Sequence, residues 1–242
     1  MNAIIKREFR SYFHDMRGFI FLSVFFLAEG FLVLYYGFLL EMPAISYVLS
    51  DLTTVASLLF PLLCHGVISA DRRNRTDKVL YSLPLSSFEV VVGKYIALLS
   101  IFAIPLVFMA FCPLIYNYFG AVNFGAAYAS LLSFFLFGAA VIAIDVFFSS
   151  FFEKNALSLI ASYAFVVFMY LWQILSLWIE KQEFLDGVLG KVMSFVGIFN
   201  RFELFIYNIF DVGAIIYYLS VAAFFVFLTV RSVEKRRLGG DK

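Results

Sequence analysis

The sequence predicts an all-α polytopic membrane protein with six transmembrane helices, and three observations lead to this prediction. Of the 242 residues, 63% are hydrophobic, whereas soluble domains average roughly 45–50%. Charged residues make up 14% of the chain, against about 25% in soluble domains. Apolar runs longer than the ~18 residues that mark a spanning helix recur along the chain. Because six spans take up most of the 242 residues, we expect no separate soluble domain of ordinary size within them.

The apolar runs place the spans within residues 1–242, which we treat as a single transmembrane domain. The six spans are expected at residues 18–40, 51–70, 91–118, 126–150, 155–179 and 212–230. The first follows basic residues, as a signal peptide does, but it is too long for a cleaved apolar region and is expected to stay. Because proline lacks a backbone N–H, Pro105 and Pro113 are expected to kink the third span, and Pro61 the second.

The placement of lysine and arginine predicts the orientation. Fifteen of the 18 basic residues fall on the side that contains both termini and the connection 71–90. The remaining three are Lys181, Lys191 and Arg201. Because Lys and Arg concentrate in cytoplasmic connections, we expect a multi-pass protein of the cell (inner or plasma) membrane with both termini cytoplasmic.

Residues 2–17 are expected to form an amphipathic helix in the cytoplasmic interface. The apolar residues that lie near one helical face are Ile4, Ile5, Phe9, Tyr12 and Phe13. The polar residues that lie largely elsewhere are Lys6, Arg7, Arg10 and His14. This pattern is typical of a helix whose basic side contacts anionic lipid headgroups.

The connection 71–90, DRRNRTDKVLYSLPLSSFEV, begins basic and becomes apolar. Residues 71–83 can form a helix that Pro84 ends. The next helix is expected to begin with residues near the membrane surface: Ser86 or Ser87 as its cap, Glu89 and Lys94. A merely solvated basic loop would account for the arginines of this connection but not for the adjacent VLYSLPL segment.

The connection 180–211 alternates charged and aromatic residues. It is too polar to span and too apolar for a free loop, so we expect one or two external interfacial or re-entrant helices between the fifth and sixth spans. The same segment could act as a gate or as a docking surface.

Catalytic motifs are missing from the sequence. It contains no GxxxxGK[ST], HExxH or GxSxG motif. Two histidines, His14 and His65, and two cysteines, Cys64 and Cys112, make a metal site an unfavoured interpretation, and the cysteines are expected to be reduced core residues. We therefore expect no catalytic residue, no metal and no cofactor on this chain, and no nucleic-acid partner.

Ionisable residues within the expected spans are Glu29, His65 and Asp145. Such groups are costly in a bilayer, so they could serve a proton or ion relay. The alternative is a hydrogen bond to a Ser, Thr or Tyr of a neighbouring helix, or a place at a dimer seam. The small residues at 138–140 and 126–127 are expected to serve helix packing.

The order of these features resembles the permease subunit of ABC transporters of the ABC-2 (type V exporter-like) class. The segments that carry the resemblance are KREFRSYFHDMRGFIF, DRRNRTDKVLYSLPLSSFEVVVGKYIA and FNRFELFIYNIFDVGAIIYYLSVAAFFVFLTVRSVEKRR. They look most like the branch that contains gliding-motility-associated and copper-site-maturation permeases.

The resemblance implies partners. In such transporters the loop after the second span carries a coupling helix that binds a groove of a separate cytoplasmic ATPase subunit, present in two copies, and ATP and Mg²⁺ would belong to that subunit. The residues implied to contact the ATPase are Arg72, Arg73, Arg75, Thr76, Val79, Leu80, Tyr81, Leu83 and Pro84. The resemblance also implies a second copy of this chain or a related permease.

The expected function is therefore that of a permease subunit of an ATP-driven exporter, with a lipid-like, amphipathic or peptide substrate. One alternative is a mechanotransmitting ABC membrane subunit that acts on a partner without moving cargo. The other is an ion-coupled secondary transporter that uses Glu29 or Asp145, which would call for inverted repeats that the sequence does not display.

Overall fold

The computed structural model confirms an all-α fold and describes most of the chain. The described residues are 2–14, 16–40, 45–69, 86–120, 122–152, 154–180, 196–206 and 211–238. Among them there is no β-strand. The helices are α1 (Asn2–His14), α2 (Met16–Leu34, continued by a π-helical turn Tyr35–Leu39), α3 (Ile45–Cys64), α4 (Ser87–Met109), α5 (Cys112–Phe119), α6 (Phe124–Phe151), α7 (Asn155–Glu180), α8 (Ile198–Ile206) and α9 (Val212–Leu238).

Six helical segments of the described chain are long and apolar enough to cross a membrane, as the sequence predicts. They are α2, α3, α4 together with α5, α6, α7 and α9. The third segment is interrupted at Ala110 and Phe111, directly before Pro113 in the first turn of α5. Pro105 and Pro61 instead lie inside their helices.

Helix α6 is the centre of the bundle, and it contacts α3, α4, α7, α8 and α9. Its run of small residues begins at Gly138, whose position leaves no room for a side chain. A Cβ atom there would lie 2.2 Å from Cε1 of Phe102. Gly138 therefore allows close packing of α6 on α4.

Buried phenylalanine rings from four helices form the interior of the bundle. Phe25 of α2 and Phe60 of α3 both approach Phe102 of α4, with ring centroids 6.1 and 5.0 Å apart. Phe134 of α6 lies 5.7 Å from the same ring. Edge-to-face and tilted ring pairs of this kind add to the packing energy beyond their buried area.

Helix α8 belongs to the predicted external insertion, and its residues Ile198, Phe199 and Phe202 are buried in the bundle. The Phe199 ring lies 4.6 Å from that of Tyr170 and 5.4 Å from that of Phe137, which is midway along α6. The Asn200 side chain donates a hydrogen bond to Ser176 Oγ at 2.9 Å. Phe199 and Asn200 of α8 thus contact α6 and α7, while residues 181–195 and 207–210 lie outside the described chain.

Candidate functional site

The stretch that follows α3 is the best-connected polar feature of the described chain. We call residues 65–69 the loop root, because they join α3 to residues 70–85. Gly66 in this stretch has a φ of 76°, a left-handed conformation that glycine adopts without steric cost. It stands just past the last helical residue, where such a conformation commonly ends an α-helix. The sequence thus ends α3 and turns the chain at a defined point.

Two cationic side chains bind carbonyl oxygens of the loop root. Arg17, at the start of α2, donates from Nη1 to the His65 oxygen at 2.7 Å. Lys94 of α4 donates from Nζ to the Val67 oxygen at 2.9 Å. Both carbonyls lie just past the end of α3, where intrahelical partners are lacking and the negative end of the helix dipole lies. Both cations therefore meet a favourable charge.

A serine of α6 binds the backbone N–H groups of the loop root. Ser149 Oγ accepts hydrogen bonds from Ile68 N at 3.1 Å and from Ser69 N at 3.4 Å. Ser149 and Ser69 are fully buried. The loop root is consequently bonded to three helices, α2, α4 and α6.

Helix α1 is linked to the loop root through Lys94. The Lys94 ammonium lies 3.2 Å from Glu8 Oε2, and the two side chains are only 4% and 14% exposed. The other carboxylate oxygen of Glu8 binds Arg7 at 2.6 Å. The Lys94 ammonium is thus held between a carboxylate and a backbone carbonyl inside the bundle.

Close steric contacts fix α1 against α2 and α4. A Cβ atom at Gly93 would lie 3.0 Å from Ile4, and one at Gly18 would lie 2.6 Å from the Tyr12 carbonyl oxygen. Ile4 and Tyr12 are both buried. The predicted polar residues Lys6, Arg7, Arg10 and His14 are exposed. The amphipathic pattern of this helix is thus confirmed, and its apolar face packs on other helices of the chain.

The neighbouring helix ends are also closed by side chains. Ser86 and Glu89 form a reciprocal cap at the start of α4, directly after residues 70–85. Arg236, near the end of α9, donates from Nη2 to the Phe151 oxygen at 2.7 Å and so caps the end of α6. We call this end of the bundle, with α1, the loop root and the last turns of α6 and α9, the basic end.

The residues implied to contact an ATPase lie outside the described residues. They are Arg72, Arg73, Arg75, Thr76, Val79, Leu80, Tyr81, Leu83 and Pro84. The structure describes the two ends of this loop, at Ser69 and Ser86, and both belong to the basic end.

Glu29 lies in the half of α2 that is farther from the basic end. Glu29 is 5% exposed, and its Oε2 atom makes no hydrogen bond with the described part of the chain. Its carboxyl interacts electrostatically with Cys112, at the start of α5.

Asp145 lies in the half of α6 nearer the basic end and is 1% exposed. Ser162 of α7 is the hydroxyl that faces its carboxyl, although neither carboxyl oxygen makes a hydrogen bond of ordinary geometry with a described residue. The carboxyl also interacts electrostatically with Cys64 and Tyr163. Asp145 and Glu29 thus have different neighbours on different helices, and His65 contributes its carbonyl to the loop root.

The polar groups of this site bind backbone atoms and one another. The described residues contain no group of three or more His, Cys, Asp or Glu side chains that could hold a metal ion. Sequence reasoning missed Glu8, Arg17 and Ser149 as members of the site. The one available signal was Glu8, an acid within a basic helix.

Residues 2–231, and so nearly the whole chain, match the model of a family described as ABC-2 family transporter protein. This match runs from α1 into the sixth candidate span. No curated protein matches the chain.

Proposed function

The chain belongs to the ABC-2 family of transporter proteins, and from this premise we propose that it is the permease subunit of an exporter driven by a separate cytoplasmic ATPase. The family is a membrane component and not itself catalytic. ATP and Mg²⁺ would be bound by the ATPase subunits. We also propose that the chain lies in the branch of gliding-motility-associated and copper-site-maturation permeases. The support for this branch is the resemblance of three segments, which begin at Lys6, Asp71 and Phe199.

The proposed orientation places the basic end in the cytoplasm. Two observations support this orientation. The exposed cations Lys6, Arg10 and Lys235 lie at the basic end, and both ends of the loop 70–85 lie there as well. Lys and Arg are retained on the cytoplasmic side of multi-pass proteins. An ATPase could then reach the loop directly.

The observation that carries the proposal is the bonding of the loop root. A force applied by an ATPase to residues 70–85 would act on Val67 and Ser69, which are hydrogen-bonded to Lys94 of α4 and Ser149 of α6. Packed helices move as rigid bodies rather than deforming continuously. Movement of the loop would therefore shift α4 and α6, with α1 following through Glu8.

Disulfide or thiol crosslinking to a co-purified ATPase tests this proposal. Single cysteines at positions 79–83 are expected to crosslink to the ATPase with a yield that changes with bound nucleotide. Cys64 and Cys112 are free but buried, so the background is expected to be low. A cysteine at exposed Val196, in the far connection, is the matched control. Absence of a crosslink from 79–83 in every nucleotide state would refute the coupling role.

The substrate is proposed to be lipid-like, amphipathic or a peptide. The spans carry few charged groups, and the exposed side chains of α7 and α9 are mostly large and apolar. Two membrane subunits, identical or related, would flank the path. ATPase stimulation of the reconstituted complex by one of these substrate classes is the expected result, and mass photometry would give the subunit number.

A mechanotransmitting subunit that moves no cargo is the second candidate. The buried contact between Phe199 of α8 and Phe137 of α6 favours it, because α6 also binds the loop root. Motion at one end of α6 would then reach the connection 181–195. An ATPase that no cargo class stimulates, with a partner protein whose capture requires residues 181–195, would favour this candidate over export.

A further inference from the structure

A groove between α4, α6 and α9 is unused by the mechanism above. Its volume is about 510 Å³, and its lining is almost wholly apolar. The lining includes Phe88 and Leu99 of α4 and Leu219, Ala223 and Phe227 of α9. Leu219 and Phe227 are 53% and 54% exposed, so the groove opens outward from the bundle.

Tyr95 of α4 lines the groove, but its hydroxyl is already hydrogen-bonded within the bundle. Tyr95 donates its hydroxyl hydrogen to the Ala139 carbonyl oxygen at 2.8 Å. Water or a polar substrate would therefore find few partners in this groove. An apolar chain fits its chemistry.

The groove has the length of one leaflet. Its lining on α9 runs from Tyr218 to Val230, which at ~1.5 Å per residue is roughly 18 Å along the helix. Half of the bilayer's hydrocarbon core is about 15 Å thick. The groove thus runs from near the basic end, at Phe88 and Val230, to the middle of α6, over a length comparable to that of one leaflet.

A cation stands at the mouth of the groove. The Arg231 guanidinium lies 5.3 Å from the ring centroid of Phe227, which lines the groove. The Arg231 side chain is 65% exposed, and its carboxylate neighbour is Glu234 at 3.3 Å. The same two turns of α9 add Lys235 and two further arginines, so positive charge exceeds negative charge there.

Glu89, one residue beyond Phe88 of the groove, accepts hydrogen bonds from the backbone N and the Oγ of Ser86 and keeps its negative charge. Glu89 and Glu234 are two acids against four cations of α9, so the mouth remains positive; the cations are Arg231, Lys235, Arg236 and Arg237. An anionic headgroup at this position would gain about 1 kcal/mol from each nearby Lys or Arg.

We propose that the groove binds one acyl chain of an anionic phospholipid, with the headgroup phosphate against Arg231. The assignment of that lipid to the cytoplasmic leaflet rests on the orientation in the proposed function, while the binding itself does not. The length of the groove, its lack of free polar groups and the cation at its mouth together select a phospholipid over a second copy of this chain.

Native mass spectrometry of the permease complex, released from nanodiscs that contain equal amounts of phosphatidylglycerol and phosphatidylcholine, tests the proposal. The wild-type chain is expected to retain phosphatidylglycerol preferentially. Ala223→Phe fills the groove and is expected to lower total lipid retention at least fivefold. Ala164→Phe, at an exposed alanine of α7 outside the groove, is the matched control and is expected to leave retention unchanged.

The charge at the mouth is tested separately. Arg231→Gln is expected to lower the preference for phosphatidylglycerol about fivefold, the equivalent of ~1 kcal/mol, while apolar retention persists. Lys154→Gln removes an exposed cation that does not line the groove and is expected to keep the preference.

Three results would overturn the proposal. They are equal retention in wild type and Ala223→Phe, no lipid preference in wild type, and loss of subunit association in Ala223→Phe with lipid retention intact. The last result would identify the groove as a subunit interface. Crosslinking from positions 79–83 is measured independently, so failure of the lipid site and failure of ATPase coupling give different results.

Discussion

Replacing Lys94 of α4 with methionine removes the ammonium that binds the loop root and keeps most of the apolar part of the side chain. The Val67 carbonyl then loses its donor at 2.9 Å, and Glu8 loses its cation at 3.2 Å. Removing one partner of a buried ion pair costs about 3–5 kcal/mol. Because Glu8 retains Arg7 at 2.6 Å, we expect the lower end of this range, about 3 kcal/mol.

The carboxylate partner gives the other side of a double-mutant cycle. Glu8→Gln leaves the ammonium bound to the Val67 carbonyl, so its cost is expected to be about 1.5 kcal/mol, that of a charge-assisted hydrogen bond. The double variant leaves neither charge unpaired and should cost about as much as Lys94→Met alone. The expected coupling energy between Glu8 and Lys94 is therefore about 1.5 kcal/mol.

Thermal unfolding of the detergent-solubilised protein measures these effects through the fluorescence of Trp172 and Trp178, both on α7. At about 2–4 °C per kcal/mol for a chain of this size, Lys94→Met is expected to lower Tm by about 6–12 °C. The exposed pair Arg231 and Glu234 is the matched control, with an expected coupling below about 1 kcal/mol. Strict additivity of Glu8→Gln and Lys94→Met would refute the reasoning.

Three further substitutions, one of them with a matched control, test separate parts of the fold. Gly66→Ala places a side chain at a φ of 76° and should lower the free energy of unfolding by about 1–2 kcal/mol; an unchanged Tm would contradict the left-handed turn. Gly138→Ala forces a methyl group against Phe102 and should cost about 1–3 kcal/mol, whereas Gly30→Ala, with open space around it, should be neutral or stabilising in the same unfolding assay. Asp145→Asn keeps the shape of a buried side chain and should retain Tm and ATPase coupling; loss of transport with an intact Tm would instead support an ion-relay role.

The number and type of the spans could be predicted because they depend on apolar length alone, but their ends could not. Helix α3 begins at Ile45, six residues before the expected start at Asp51. The reason is that Asp51 is exposed and accepts a hydrogen bond from Tyr36 at 2.8 Å, so the acid sits within the helix without ending it. At the other end, the left-handed Gly66 stops the helix before the predicted residue 70.

The functional site was harder to predict than the fold. The contact between Glu8 and Lys94 joins residues far apart in the chain, and neither residue type nor spacing indicates it. Ser149 is one of four serines in the apolar helix α6, and nothing in the sequence distinguishes it from the others. Its hydroxyl nevertheless binds two backbone N–H groups of the loop root. Composition predicts where charges are scarce, whereas the partner of each charge follows from the packing of the helices.

Several polar contacts of the described chain at the basic end satisfy backbone groups at or just past the ends of helices, which lack partners within a helix. Arg17 and Lys94 bind carbonyls that follow α3, and Arg236 binds one at the end of α6. Between these ends the bundle is held by aromatic packing, in a medium where helices gain little from burial of apolar surface against one another. A displacement of the loop root must therefore either break its charge-assisted hydrogen bonds to α2 and α4 and its neutral hydrogen bonds to Ser149 of α6, or move these helices with it. Because each charge-assisted bond costs about 1.5–3 kcal/mol to lose, concerted movement of the helices is the less costly response.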